Sequence, residues 1–243
     1  MIRLIILILL LPYILYGLEL NNSYKVTYGV VGKVGYAHTY IKKDENSYQI
    51  KVDVKTKGIA KFLSNNRKEF YESKGSIVGT DLLPQEYTKI KTTNSYKKIK
   101  KYTFNHDEKK VYLEKTAIYK NSNKTKKSKE LYKLYAKNDI LTLYFNMINL
   151  VKNEPKDYFA FKTIGSKENN GTVEIIKPSQ DELKDIKKLI GIEDDYFLKV
   201  KVHQKIFSSS DGELIINIDD KNVCNKTILK DVILFGDITA VKQ

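Results

Sequence analysis

The 243 residues are long for one domain but within the range of a single all-β barrel or sandwich, and the net charge is +14. Arg3 and Arg67 are the only arginines among 43 basic residues; arginine is the side chain that forks onto phosphate and guanine, so the charge does not mark a nucleic-acid binder. Cys224 is the single cysteine, which excludes an internal disulfide framework and leaves the apolar core to hold the fold.

The N-terminus reads as an export signal. Met1–Arg3 carry one positive charge, and Leu4–Leu11 is an unbroken apolar run followed by Pro12. A spanning helix needs about 20 apolar residues, and this run is shorter. We expect a signal peptide over residues 1–17, with cleavage near Gly17, and one domain over 18–243. An uncleaved inner-membrane anchor is the alternative. No cysteine follows the run, so a lipidated N-terminus is not expected. An export signal without disulfides points to the periplasm of a bacterial envelope.

From Tyr24 to Tyr119 the pattern is period two. In "YQIKVDVK", Tyr48, Ile50, Val52 and Val54 fall on one face and Gln49, Lys51, Asp53 and Lys55 on the other, which predicts an antiparallel meander with one solvated face. "IAKFL", after Gly58, is an apolar patch too short to assign as a strand. "SYKKIKKYTF" and "KVYLEKTAIY" read as a hairpin across "NHDEK". The lysine-rich run at residues 120–130, "KNSNKTKKSKE", has no apolar anchor and reads as a solvated loop.

Residues 139–151 break the pattern. Asp139 is a good helix N-cap, and the only polar positions that follow, Thr142, Asn146 and Asn149, share a stripe about 60° wide. A surface helix has the opposite proportions. Exposing so many large apolar side chains, at about 1.5 to 3 kcal/mol each, would consume the net stability of a whole domain, so this helix must be covered. Beyond Pro155, "DYFAFKTIG" and "GTVEIIK" predict a hairpin. Ser179 and Glu182 form a capping box that opens a conventional amphipathic helix, ended by Gly191. "YFLKVKVHQKIF", "GELIINID" and "TILKDVILFGDITAV" are strand again. The expected fold is mainly β: about ten or eleven strands in a large curved antiparallel sheet, forming an incomplete β-barrel around one buried helix, plus a second amphipathic helix.

This order of features resembles the bacterial domain-of-unknown-function family 3108 (DUF3108). The resemblance is carried by "YKVTYGVVGKVGYA", "GSIVGTDLLPQEY", "YTFNHDEKKV", "NDILTLYFNMINL" and the terminal "GELIINIDDKNVCNKTILKDVILFGDITA", and so spans nearly all of the mature chain. It implies an exported envelope protein similar to the periplasmic lipoprotein carriers LolA and LolB, whose helices plug an apolar cavity that receives acyl chains. It implies no catalytic residues.

Chemistry-bearing groups are sparse. His38, His106 and His203 lack metal-ligand spacing, and no nucleophile elbow, phosphate-binding glycine loop or HExxH occurs. The adjacent pairs Asp194/Asp195 and Asp219/Asp220 read as turn residues, since neighbours on a strand point to opposite faces. Cys224, flanked by Val223 and Asn225, reads as an inert packing residue. "ELNNS" and "ENNGT" place Asn21 and Asn170 in acidic contexts suited to a bacterial N-glycosylation system. The expectation is therefore a non-catalytic periplasmic protein without cofactor or metal. It would hold a lipid or lipoprotein acyl chain in a cavity lined by Phe62, Leu63, Leu143, Tyr144, Met147 and Ile148. The alternative is a ligand-free scaffold binding another envelope protein or peptidoglycan. Neither involves nucleic acid.

Overall fold

The computed structural model describes residues 17–166, 171–193, 196–202, 213–230, 232 and 236–243, the side chains of Ile59 and Leu63 excepted. The expected signal segment, except its last residue Gly17, therefore lies outside the described residues. So do His203, Asn170, Asp194 and Asp195. No described helix is long and apolar enough to cross a membrane.

The first half of the chain is the expected meander. Strands β1 (Leu18–Tyr28), β2 (Gly32–Lys43), β3 (Ser47–Thr56), β4 (Lys68–Val78), β5 (Asp81–Thr92), β6 (Tyr96–Asn105) and β7 (Lys110–Tyr119) pair each with the next, antiparallel. The alternation read in β3 is the register observed: Ile50 and Tyr48 are buried, and Ile50 stands opposite Ile41 of β2 and Ser73 of β4. A bulge between Lys74 and Gly75 kinks β4 against β5. Only glycine fits there, because a Cβ on Gly75 would lie 2.0 Å from the Leu83 carbonyl oxygen.

One unassigned stretch is resolved and two expectations need correction. The patch after Gly58 is a short helix, α1 (Gly58–Leu63), which packs on β2 and β3. The lysine-rich run is not a loop. From Lys124 it forms strand β8 (Lys124–Leu131), paired with β7 along its whole length and exposed at every position, so no buried face could announce it. Finally, the strands number fifteen among the described residues, not ten or eleven.

The remaining strands are β9 (Asn138–Asp139), β10 (Tyr158–Ile164), β11 (Thr172–Ile176), β12 (Tyr196–Val202), β13 (Glu213–Ile218), β14 (Cys224–Leu229) and β15 (Ile238–Lys242). "TILKDVILFGDITAV", read as one stretch, thus contributes to two strands. All fifteen belong to one sheet, ordered β8-β7-β6-β5-β4-β3-β2-β1-β15-β14-β13-β12-β11-β10-β9, which does not close into a barrel. Pairing is antiparallel except for the two-residue ladder of β9 with β10, which is parallel.

Helix α2 (Ile140–Val151) begins at Asp139 as the sequence predicts, and α3 (Gln180–Ile190) has the Ser179–Glu182 capping box with Gly191 left-handed at φ 73°. Helix α3 lays Ile186 and Ile190 on Phe197, Ile215 and Ile228 of β12–β14. Helix α2 packs on the other face and joins two arms of the sheet. Leu143, Met147, Ile148 and Val151 share a core with β11–β14, while Leu141 and Phe145 pack against residues of β2, β3 and β5. Strands β5 and β11 stand nine positions apart in the sheet order. In a flat sheet that is roughly 43 Å, yet a helix of about 18 Å touches both arms. The sheet therefore bends.

Candidate functional site

The polar residues around α2 fix its position. Asp139 is fully buried; its carboxylate accepts from the backbone N–H of Leu141 and Thr142 at 2.8 and 3.2 Å and from Ser73 Oγ at 2.6 Å. Ser73 in turn meets the Tyr48 hydroxyl at 3.0 Å. About two turns on, Asn146 behaves as a surrogate strand. Its Oδ1 accepts from Leu82 N–H at 2.9 Å, and its Nδ2 donates to Leu82 O at 2.9 Å and to Asn138 Oδ1 at 2.8 Å. The narrow polar stripe is thus turned inward at Thr142 and Asn146, both buried, and only Asn149 is exposed.

Burial pushes the Asp139 carboxyl up from its ordinary 3.8 to about 6, against the opposing pull of its hydrogen bonds from Ser73, Thr142 and Leu141. The folded state then holds this proton more tightly than the unfolded state. Asp139's contribution to stability is complete below its unfolded value and is lost as the pH rises through about 6. Between about pH 5 and pH 7.5 the loss should be about 1 kcal/mol. Asp139→Asn keeps the capping acceptor but cannot titrate. Urea unfolding at those two pH values should show the wild-type difference reduced by that amount in the variant; an unchanged difference would exclude Asp139 as its source.

Beside α2 lies a cavity of about 280 Å³. The helix supplies Leu141, Tyr144 and Phe145; β13 supplies Leu214 and Ile216; β14 and the residue before it supply Cys224 and Val223. Tyr24 of β1, Val52 of β3 and Ala240 of β15 complete the apolar wall, with Asn22, Thr39 and Thr227 as its polar members. The polar tips are turned to protein: the Tyr24 hydroxyl donates to the Cys224 carbonyl at 2.9 Å. Burial, then the nearby Asp219, pushes the Cys224 thiol up to about 12, so it is no nucleophile at neutral pH.

Of the six residues predicted to line a cavity, Tyr144 lines this one and Ile148 lines a neighbouring pocket of about 380 Å³ with Lys152, Tyr196 and Asp219. Leu143 and Met147, each 2% exposed, are packed into the core against β11–β13 instead. Phe62 is 86% exposed on α1 and contributes nothing to either space, and the Leu63 side chain is outside the described residues. Sequence reading missed the strand residues of the wall. The signal was present as alternation, Asn22 and Tyr24 on β1 or Leu214 and Ile216 on β13, but alternation does not say which strands a bend brings together.

Other reactive groups are tied into the fabric. His38 Nδ1 lies 2.8 Å from Ser23 Oγ, and His106 is held between the Tyr135 hydroxyl and the Pro84 carbonyl. Asp219 Oδ1 accepts from the backbone of Lys221 and Val223, which is the turn role expected for it. Among the described residues no three His, Cys, Asp or Glu side chains are grouped to hold a metal. Asn21, the other glycosylation candidate, is exposed on β1.

No curated protein and no solved structure matches the chain. A family model does, over residues 23–179, from β1 through the cap of α3. The match is shorter than the resemblance suggested, since the quoted terminal stretch from Gly212 lies beyond it. It takes in the meander from Ser23 onward, the Asp139 cap and α2, and by it the chain belongs to DUF3108, proteins of unknown function.

Proposed function

We propose that this is an exported, non-catalytic binding protein that holds one acyl chain, or a similar apolar moiety, inside an incomplete β-barrel formed where the sheet bends around α2. The observation that carries the reading is the cavity beside the helix, walled by apolar side chains from both arms of the sheet. At about 280 Å³ it sits at the low end of ligand pockets, which suits a single tail rather than a whole diacyl lipid. Each methylene buried there would contribute about 0.8 kcal/mol. The ligand class rests on the resemblance to LolA and LolB; the cavity supports it with a volume and a lining. The periplasm and a role in maintaining the envelope follow from the signal-like N-terminus and belong to the same proposal.

Ala240 gives the test. It lies on β15, opposite Val26 and Thr227, and faces the void. Ala240→Phe should fill the cavity with a stability change under about 1 kcal/mol, because the added ring enters the void that Ala240 lines rather than the core that it borders. Binding of dodecanoate, followed by calorimetry, should fall more than tenfold, and native mass spectrometry of wild-type protein from its host should show a bound acyl species. A variant destabilised by about 1 to 3 kcal/mol, as in an overpacked core, together with no acyl species, would replace this reading with the ligand-free scaffold. Met147, packed on all sides, does not make this distinction.

A further inference from the structure

The two most exposed large hydrophobic residues described lie at the same end of the sheet. Val30, 91% exposed, sits in the 3-10 turn (Gly29–Val31) that joins β1 to β2, and Phe62, 86% exposed, sits on α1. The N–H of Lys57, the residue capping α1, donates to the Val34 carbonyl at 2.7 Å, which ties the helix to the first residues of β2, just after that turn.

The surroundings are basic. The Lys33 and Lys57 ammonium groups both lie over the Tyr36 ring, 3.9 and 4.5 Å from its centre. Lys55, Lys57, Lys61 and Lys68 line an open hollow of about 500 Å³ with Tyr36 and His38. Neither residues 24–43 nor residues 54–68 contain an aspartate or glutamate. Desolvation, then the neighbouring Lys57 and Lys25, holds Lys33 below the usual lysine range, as crowded like charges require.

Isolated exposed hydrophobics are ordinary on a protein surface. Two protruding apolar tips on acid-free segments rich in lysine are less so, even with Asp237 beside the Gly29 turn and Asp53 and Glu69 on the adjoining strands. They match an interface with lipid below and phosphate above, where aromatic and aliphatic groups enter the acyl boundary and lysines meet anionic headgroups. An acidic protein surface would satisfy the lysines but would leave Phe62 and Val30 without a hydrophobic partner. We propose that this end of the protein docks on an anionic bilayer, with Phe62 and Val30 inserted and Lys33, Lys57 and Lys61 on the headgroup phosphates. The proposal is independent of the acyl cavity, which opens among other residues and whose failure would leave it intact.

The experiment is vesicle co-sedimentation of full-length protein and variants that share the same N-terminal segment. Vesicles of phosphatidylcholine alone are compared with vesicles containing an equal share of phosphatidylglycerol. Wild type should prefer the anionic vesicles, and added salt should weaken that preference. The doubly exposed substitution Phe62→Ser with Val30→Ser, which no packing opposes, should lower the partition coefficient about tenfold or more. Lys57→Gln with Lys61→Gln should lower it roughly twenty-five-fold, about fivefold per lysine. Equal partition into both vesicle types, or variants that partition like wild type, would overturn the proposal. So would an effect of the lysine pair alone, since an acidic partner or simple charge attraction would produce it without insertion.

Discussion

Asn146→Leu is expected to cost about 4 kcal/mol of stability, read as a fall in the urea midpoint at unchanged slope. Leucine matches asparagine closely in size, so the substitution leaves little void. What it removes is the amide that pairs with both the N–H and the carbonyl of Leu82. Leu82 is 1% exposed, so both backbone groups would be stranded away from water at about 1 to 3 kcal/mol each. Asn138 loses a donor as well. A cost below about 1 kcal/mol would mean that β5 can find other partners and that α2 is held by apolar packing alone.

Leu143→Ala should come close behind, at about 3 to 4 kcal/mol, because it deletes buried methyl groups and leaves a void that close-packed strands cannot collapse into. Leu143 is 2% exposed and shares its core with Val173, Ile175 and Leu198. The comparison with Ala240→Phe is informative. One substitution empties a filled place and should be costly, whereas the other fills an empty place and should be tolerated. If the two cost the same, the helix has no difference between a packed side and a hollow side, and the acyl reading loses its premise.

Much of this arrangement could be read from the residues. The cap at Asp139 and the capping box at Ser179 locate both long helices within one residue, because short polar side chains with the right spacing have few other uses. The meander was equally plain where one face is buried. Strand β8 was not, because its residues are exposed on both faces and alternation exists only when burial differs between faces. Helix α1 has six residues, and Lys57 at its N-cap makes no side-chain capping hydrogen bond, so nothing local marks it. Helix α2 could be read as apolar nearly all round, but not which of its rows meets which strands. That depends on the bend, a property of strands far apart in sequence. Hence the apolarity of Leu143 and Met147 points to the cavity although both are packed, and nothing in the sequence marks Leu141 and Phe145 as its lining. For Phe62 the sequence offers hydrophobicity alone, which cannot tell a core residue from a protruding one.

The open edge formed by β8 has a consequence for how copies of this protein meet. An unpaired strand invites another chain to extend the sheet, the common route to aggregation. Here that edge carries Lys124, Lys126, Lys127 and Lys129 within eight residues. Two copies approaching edge to edge would set ammonium groups against one another before any backbone bond could form. A sheet of fifteen strands that never closes can remain dispersed at high concentration, guarded by electrostatic repulsion that concentrated salt would weaken.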